Sequence, residues 1–271
     1  MIRRILAAIL CAALIALGGC SQRGEDASSA PLVDYPATAL DITVDTCPQA
    51  VVSLIPEVTD IIVALSSDAQ LVAISDNCND TRGLTRVGTA FSPDTAAIKE
   101  LNADLVFTSR VTPDKDIEVL KNAGINVATV EAVARYTDLP AVYSQVATLM
   151  SGNITGMRNA ANTIGNIDEK IKKFSNLSDF KTTAVIYAAE GVAVTNDCVQ
   201  ADLAGFAGAS IVSDASSAEV IVCPQNIFET VSEQYADKQV VVFDVNMLDA
   251  RGTGMLDAIE QLQLALKAEC E

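Results

Sequence analysis

The sequence contains no histidine and no tryptophan among its 271 residues. The lack of histidine excludes catalysis by Ser-His-Asp or Cys-His arrangements, and it excludes metal sites built on imidazole ligands. Aromatic residues make up only 4% of the chain, so a ligand site built mainly from stacked rings would have few side chains to use. We therefore expect neither a resident metal nor a cofactor, and we do not expect an enzyme.

Basic residues are also scarce. The chain has 18 lysines and arginines against 35 aspartates and glutamates, which gives a formal charge of −17. Nucleic-acid phosphates are bound by lysine and arginine, so this balance excludes nucleic acid as a partner. It also disfavours peripheral binding to anionic lipid head groups. We interpret the acidity as a property that keeps an exported protein soluble.

Seven cysteines are present, and two of them lie in the first twenty residues. The remaining five are Cys47, Cys78, Cys198, Cys223 and Cys270. Their spacings contain no C-x-x-C unit, so neither a zinc site nor a redox pair is indicated. An odd number outside the cytoplasm can pair in several ways, and the connectivity of Cys47, Cys78 and Cys270 stays open.

The first twenty residues have the order of a secretory signal. Arg3 and Arg4 precede an apolar run over residues 5–17, and small residues precede Cys20. The run is shorter than the roughly 20 residues that a membrane-spanning helix needs. Residues 17–20 resemble the lipobox of bacterial lipoproteins, which implies cleavage before Cys20 and a lipid on its sulfur. An ordinary cleaved signal and an uncleaved anchor helix are the alternatives.

The lipoprotein interpretation places the chain outside the cytoplasm, tethered to a membrane by acyl chains. Removing the signal peptide, residues 1–19, takes away two arginines and no acid, so the formal charge falls from −17 to −19. Residues 20–46 are polar and weakly periodic, and we predict a tether there. The rest of the chain is long enough for one large or two small domains.

Residues 47–136 alternate short apolar strands with amphipathic helices. Strands are predicted at 51–54, 71–74, 104–108 and 125–130, and helices at 57–65, 93–101 and 114–123. In the first helix the apolar residues recur at helical spacing, and its first turns are acidic, which suits the helix dipole. Such alternation predicts an N-terminal α/β lobe with a parallel sheet covered by helices.

The strand signal disappears over residues 137–178, where two helical stretches break near residues 151–153. The alternation then resumes in residues 179–271, a reduced C-terminal α/β lobe. Strands are predicted there at 183–187, 192–194, 220–222 and 240–243, and helices at 200–207, 227–235 and 254–268. The predicted fold class is α/β, with two Rossmann-like lobes joined by a long inter-lobe helix.

Several segments occur in the order and spacing of one known family. In the N-terminal lobe they are residues 51–56, 59–65, 71–78, 86–88 and 101–106. Residues 195–197 and 251–254 match more loosely. Together they resemble the class III periplasmic binding proteins, which include the cobalamin, ferric-siderophore and haem receptors of ABC importers. The resemblance spans about residues 45–271.

The resemblance implies a ligand cleft between the lobes, at the carboxyl ends of the strands. It also implies small closing motions, because a rigid helix joins the lobes, and a monomer that delivers its ligand to an ABC permease. Candidate ligand-binding residues follow the predicted strands: Pro56, Glu57, Asp76, Asn77, Phe91, Arg110, Tyr187, Asn196 and Asn246.

Each of these candidates has a structural alternative. Arg110 can grip a carboxylate or phosphate in a fork, or pair with a nearby acid as a solvated loop residue. Phe91 and Tyr187 can stack on a macrocycle or catecholate, or pack at the edge of the core. Glu57 can serve only the dipole of its helix, and Asp76 and Asn77 can serve only as turn formers.

The family's permease-docking residues are altered in this chain. The position of the first docking glutamate is Ala96, so Asp94 or Glu100 would have to substitute for it. The segment of the C-terminal lobe that holds the second glutamate is shortened to residues 213–218. Standard docking is therefore in question, although the fold and the cleft are still implied.

Cys198 and Cys223 both fall near predicted cleft-side ends in the C-terminal lobe, and we predict a disulfide between them. Cys47 and Cys78 fall towards opposite ends of neighbouring strands, so a bridge between those two is not expected.

Three functions are compatible with the sequence. The first is a lipid-anchored binding protein that captures a metal chelate or corrinoid for an ABC importer. The second is a non-transport ligand-binding or sensor lipoprotein with the same fold, and the third is a hydrolase that uses a carboxylate pair. No acid stands in a recognisable catalytic frame, and a receptor for free zinc or manganese is disfavoured because related proteins of that kind use histidine clusters.

Overall fold

The computed structural model describes residues 33–79, 82–177 and 180–268. The predicted signal peptide, the predicted lipidation site Cys20 and the C-terminal Cys270 lie outside these residues. Within the described part of the chain, no helix combines the length and the apolar character that crossing a membrane would require.

A short antiparallel hairpin opens the described chain. Strands β1 (Ala37–Ala39) and β2 (Ile42–Val44) form it, with Ala37 and Val44 fully or almost fully buried. This differs from the tether predicted over residues 20–46. Each strand has only three residues, so its period carries little signal, yet the hairpin packs against the core through these two residues.

The N-terminal lobe is a parallel five-stranded sheet with helices on both faces. Its strands are β3 (Val51–Ser53), β4 (Leu71–Ile74), β5 (Thr85–Arg86), β6 (Leu105–Ser109) and β7 (Asn126–Val130), in the order β5-β4-β3-β6-β7. Its helices are α1 (Pro56–Ala64), α2 (Thr95–Glu100) and α3 (Asp114–Asn122). The strand order reverses its direction between β3 and β6. The carboxyl ends of these two strands therefore form the topological switch point, where ligands of open α/β sheets bind.

Two consecutive helices connect the lobes. Helix α4 (Leu139–Ser151) ends at Gly152, and α5 (Asn153–Leu177) begins directly after it. Gly152 has a φ of +90°, which glycine adopts at little energetic cost because it has no Cβ. Helix α5 folds back on α4, so that Gly156 lies against the backbone of Ala147. At 1.5 Å per residue the 25 residues of α5 make a rod of about 37 Å.

Asp34 fixes the start of α5. Its Oδ1 accepts hydrogen bonds from the backbone N–H groups of Ile154 and Thr155, and its Oδ2 accepts one from the Thr155 hydroxyl. These bonds satisfy N–H groups that the first turn of a helix leaves unpaired. They hold the pKa of the Asp34 carboxyl below its usual range. Asp34 therefore has a structural role within the segment predicted as a tether.

The C-terminal lobe repeats the same plan on a smaller scale. Its elements are β8 (Thr182–Ala189), β9 (Val192–Ala193), α6 (Val199–Phe206), β10 (Ala209–Ile211), β11 (Val220–Cys223), α7 (Phe228–Gln234), β12 (Gln239–Val242) and α8 (Gly254–Ala268). The parallel order is β10-β8-β11-β12, and β9 pairs with β8 in the antiparallel sense. The prediction of an α/β fold with two parallel sheets and a helical connection is confirmed.

One continuous apolar cluster runs through both lobes. It includes Phe107 from the N-terminal sheet, Tyr143 from α4, Ile167 from α5 and Ile186 from the C-terminal sheet, all fully or almost fully buried. Smaller clusters cover the outer face of each sheet. Because the connecting helices share this core with both lobes, we expect them to move with the lobes rather than act as a free hinge.

The predicted disulfide between Cys198 and Cys223 is wrong, since the structure holds both residues as free thiols. Cys223 is completely buried among Ile221, Ile227 and Val231 on the outer face of its sheet. The Cys198 thiol instead donates to the carbonyl of Thr195, directly before α6. Strand position alone could not show that the two side chains have separate surroundings. Cys47 and Cys78 are also free thiols, as expected for that pair.

Arg135 ties the exit of the N-terminal lobe to α6 of the C-terminal lobe. Its Nε donates to a carboxylate oxygen of Asp202 at 2.9 Å, and a second guanidinium nitrogen binds the other oxygen. The backbone N–H of Tyr136 donates to the same carboxylate, and the Tyr136 ring meets Phe206 edge to face. This clamp lowers the pKa of the Asp202 carboxyl.

We expect Asp202→Asn to destabilise the protein by about 1 kcal/mol at pH 7, because it removes a charge-assisted bond from a largely buried position. Because the pKa of Asp202 is lower in the folded protein than its unfolded value of about 3.9, the ionised carboxylate stabilises the fold above that pH. This stabilisation is lost as the pH falls through the folded pKa. The difference between the wild type and the variant should therefore shrink below about pH 4. Urea unfolding at several pH values measures it.

Asp197→Asn is the matched control, since Asp197 lies 3.9 Å from Arg135 and its side chain is 96% exposed. An ion pair of this kind contributes little, so this variant should match the wild type at every pH. Equal effects of the two substitutions would contradict the clamp.

Candidate ligand-binding cleft

A cleft of about 1020 Å³ opens between the two lobes. Its N-terminal wall follows β3 and β4 and includes Pro56, Glu57 and Asn77. Its C-terminal wall follows β12, running from Asp244 to Asp257 at the start of α8. Both walls therefore come after the carboxyl ends of parallel strands, where an open α/β sheet presents its loops and helix starts.

The two lobes meet at the floor of the cleft through backbone contacts. The N–H of Arg251 donates to the Asp60 carboxylate on α1 at 3.0 Å, and the Tyr143 hydroxyl donates to the Arg251 carbonyl at 2.7 Å. Gly252 lies so close to α1 that a Cβ there would stand 2.7 Å from the Asp60 carbonyl oxygen. Only glycine fits this approach without a shift of the backbone.

Arg251 is almost completely buried beneath this floor, with 4% of its surface exposed. Its guanidinium donates to the carbonyls of Leu248 and Ala250, and its Nε has no partner. Burial lowers the pKa of Arg251 and raises the pKa of Asp60. The charge of Arg251 is therefore held behind the cleft wall, where it supports the loop before α8.

The cleft wall is rich in carboxylates. They come from Glu57, Asp60, Asp68, Asp244, Asp249 and Asp257. Asp68 pairs with Arg82 at 2.9 Å. Asp244 accepts bonds from the backbone and side chain of Asn246, and Asp249 accepts one from Gln200. The walls thus present acceptor groups with few positive charges to balance them.

A smaller side pocket of about 270 Å³ adjoins the switch point of the N-terminal sheet. Its walls are mainly aliphatic, with Val58 and Ile61 of α1 facing Val130 and Val142. Glu57 lines both this pocket and the cleft. An apolar group of a ligand held in the cleft would find a hydrophobic surface there.

The structure brings four of the nine predicted ligand-binding residues to the cleft: Pro56, Glu57, Asn77 and Asn246. Arg110 lines the side pocket, where its Nε binds both oxygens of Glu131. This pairing is the alternative that the sequence left open for Arg110.

The other four predicted residues lie elsewhere. Asp76 is exposed and lines neither pocket, and Asn196 is exposed before α6. Phe91 is 73% exposed on a loop. The Tyr187 ring stacks on Tyr235, and their hydroxyls share a 2.7 Å hydrogen bond that, together with burial, raises the pKa of Tyr187 to about 12. Edge-of-core packing therefore describes Tyr187.

The two proposed docking acids differ in their surroundings. Oδ1 of Asp94 accepts the backbone N–H groups of Ala96 and Ala97, so this carboxylate caps α2. The Glu100 side chain lies exposed at the last residue of α2. In the C-terminal lobe the shortened segment forms only a 3₁₀ turn over Ala215–Ser217. No structural observation assigns a docking role to either acid.

Sequence reasoning missed most of the acidic wall. The residues concerned are Asp60, Asp68, Asp244, Asp249 and Asp257, together with the floor residues Tyr143, Arg251 and Gly252. A signal was present in residues 244–257, where three aspartates and two glycines flank the start of the last predicted helix. Asp60 lies inside a helix, so its approach to Arg251 depends on the packing of the two lobes.

No cysteine lines the cleft among the described residues. Within the described ranges, no group of three or more acidic or cysteine side chains is placed to hold a metal ion. The free thiols of Cys78 and Cys223 are buried, and burial raises the pKa of both, so neither is a nucleophile at neutral pH.

Solved structures resemble most of the chain. The vitamin B12 binding protein BtuF of Vibrio cholerae superposes with a TM-score of 0.61 at 16% identity, covering 83% of this chain and 98% of that one. The heme binding protein HutB of Vibrio cholerae gives a TM-score of 0.65 at 17% identity, covering 80% and 98%. The chain has the fold of the class III periplasmic binding proteins.

A third structure of the class III fold, the iron uptake ABC transporter substrate-binding protein PiuA from Streptococcus pneumoniae, gives a TM-score of 0.58 at 16% identity, covering 83% of this chain and 94% of that one. No protein-family model matches the sequence, and no curated protein matches it. The likeness therefore lies in the class III fold.

Proposed function

We propose that this protein is an extracytoplasmic substrate-binding protein that captures a metal chelate or corrinoid in its inter-lobe cleft and delivers it to an ABC importer. The observation that carries the proposal is the cleft itself. Its volume of about 1020 Å³ lies at the upper end of the range for ligand pockets. It also lies between two lobes of the class III fold, and a macrocycle or chelate has the size to fill it.

The structural neighbours support this class of solute, since their descriptions name vitamin B12, heme and iron. They are binding proteins rather than enzymes, which supports a non-catalytic role. Capture and release need no covalent chemistry, so the proposal does not require a nucleophile or a histidine base. The lipid anchor at Cys20 belongs to the same proposal, since it would keep a monomeric binding protein beside its permease.

Ligand capture in this geometry relies on rigid walls. The floor contacts between Asp60, Arg251 and Tyr143 hold the C-terminal loop against α1 and α4. The shared core keeps the connecting helices fixed to both lobes. Because the walls are held in place before the ligand arrives, little conformational entropy is lost on binding.

A second candidate is a non-transport ligand-binding or sensor lipoprotein. It is favoured by two observations at the docking positions. Asp94 is engaged as the cap of α2, and the C-terminal lobe offers only the turn over Ala215–Ser217 where the family has a helix. Capture would be retained in this case, and delivery to a permease would not.

A thermal-shift panel tests capture. Purified protein is heated with cobalamins, haem and ferric siderophores, and we expect one of these classes to raise the melting temperature. A ligand at a hundredfold excess over its dissociation constant stabilises the folded state by about 2.7 kcal/mol. For a chain of this size that corresponds to roughly 5–11 °C. If no compound shifts the transition, the proposed ligand class is wrong and the sensor function takes its place.

A further inference from the structure

The charge of the cleft indicates a narrower class of ligand. Five of the six carboxylates on its wall form no ion pair with a lysine or arginine side chain among the described residues. Only Asp68 is paired, with Arg82. Arg251, the buried arginine of the described residues, donates to backbone carbonyls, and its charge also interacts with the nearby carboxylates of Glu57, Asp249 and Asp60, so that two arginines stand against six carboxylates. The wall therefore keeps a net negative charge.

These carboxylates come from both sides of the cleft. Glu57 and Asp60 belong to α1, whereas Asp244, Asp249 and Asp257 belong to the segment that leads into α8. Glu57 and Asp257 accept no hydrogen bond from any described group, so their oxygens are available to a ligand. A solute between the lobes thus meets negative charge on two walls.

The cleft lining also lacks the side chains that an anionic ligand or a stacked macrocycle would need. Among the described residues that line the cleft there is no lysine and no aromatic ring, and the only arginine is Arg82. An anionic ligand would need arginine or lysine forks to balance its charge. A flat macrocycle held by stacking would need aromatic faces. Neither kind of contact is offered.

We propose that the ligand of the cleft is cationic: a solute or metal complex with net positive charge. The inference rests on the proposed function, since it takes the cleft as the binding site and adds the sign of the ligand's charge. A low-dielectric cleft lined by one sign of charge concentrates counter-ions and speeds their association. Binding should therefore weaken as salt is added, because the Debye length falls from about 10 Å at 0.1 M to about 3 Å at 1 M.

A pair of inert cobalt complexes tests the sign directly. Hexaamminecobalt(III) and hexacyanocobaltate(III) have the same metal and opposite charges, and calorimetric titration measures the binding of each to the purified protein. We expect saturable binding of the cation, reduced at high salt, and no binding of the anion. Absence of cation binding, or equal binding of the two complexes, would overturn the inference.

Two double variants separate the cleft from the general acidity of the protein. The cleft variant Glu57→Gln with Asp257→Asn removes one carboxylate from each wall, and neither side chain accepts a hydrogen bond from a described group. The control Glu118→Gln with Asp237→Asn makes the same two chemical changes at exposed positions, one in each lobe, outside the cleft. We expect the cleft variant to bind the cation at least about tenfold more weakly and the control to bind as the wild type does. Equal losses in the two variants would place the cation on the surface at large and would contradict the inference.

The thermal-shift panel distinguishes this inference from the proposed function. Haem carries two propionate groups, so the largest shift with haem would overturn the cationic ligand and leave capture in the cleft intact. The largest shift with a positively charged cobalamin or ferric chelate would support both. If no panel compound binds and the cation titration also fails, both proposals fall.

Discussion

Gly252→Ala is expected to weaken the protein and to disturb the cleft at the same time. A methyl group at this position would stand 2.7 Å from the Asp60 carbonyl oxygen, which belongs to the backbone of α1 and cannot rotate away. The loop before α8 must then move away from α1, and the bond between the Arg251 N–H and the Asp60 carboxylate lengthens. Overpacking of this kind costs about 1–3 kcal/mol, which urea unfolding at pH 7 would measure.

Gly205→Ala is the control for Gly252. Gly205 lies within α6, and a Cβ there would meet no atom within 4 Å. Alanine is the better helix former, so the free energy of unfolding should rise by about 0.5–1 kcal/mol. We also expect ligand binding to weaken in Gly252→Ala and to stay unchanged in Gly205→Ala. If both variants unfolded with the same free energy, the close approach of the lobes at the cleft floor would be wrong.

Gly156→Ala is expected to cause the largest loss of stability, about 3 kcal/mol. Near this residue α5 turns back on α4, and a Cβ would overlap the backbone of Ala147 and would stand 2.7 Å from the backbone nitrogen of Thr148. Both helices belong to the core that runs through the two lobes, so neither can shift without disturbing both sheets. Thermal and urea unfolding would both show the loss.

Gly165→Ala gives the opposite result in the same helix. No atom lies within 4 Å of a Cβ at Gly165, so the substitution adds helix propensity without a clash. We expect about 0.5–1 kcal/mol of added stability. Destabilisation of similar size by both alanines would mean that α5 does not pack against α4 at Gly156.

Much of the fold was predictable because its signals are local. The strand at Leu71–Ile74 and the helix at Gly254–Ala268 agree with their predicted ranges, since continuous apolar runs and helical spacing are strong patterns. Strands β1, β2, β5 and β10 were missed. Each has only two or three residues, too few for a period, and each depends on a neighbouring strand.

The cleft was less predictable than the fold. Pro56, Glu57, Asn77 and Asn246 were predicted from their positions after strand ends and do line the cleft, since topology alone brings the carboxyl ends of strands together. Phe91 and Tyr187 were chosen for their chemistry, but their orientation depends on packing: Phe91 is exposed, and Tyr187 stacks on Tyr235.

The disulfide prediction failed for a related reason. Both cysteines lie near strand or helix ends, but Cys223 points into the apolar layer on the outer face of its sheet. Alternation along the strand sets the face that Cys223 takes, whereas Cys198 lies on no strand and stands at the start of α6. A shift of one residue along a strand moves a side chain to the other face of the sheet. A short strand has too few residues for the sequence pattern to show which face a given side chain takes.

Hydrogen exchange in the presence of the panel compound with the largest thermal shift tests capture between the lobes most directly. The account predicts slower amide exchange in two separate segments, residues 56–60 at the start of α1 and residues 244–257 before and at the start of α8. Protection should appear in both lobes together and should be lost in the variant Glu57→Gln with Asp257→Asn if the compound is cationic. Binding with protection in only one lobe, or away from both segments, would contradict the account.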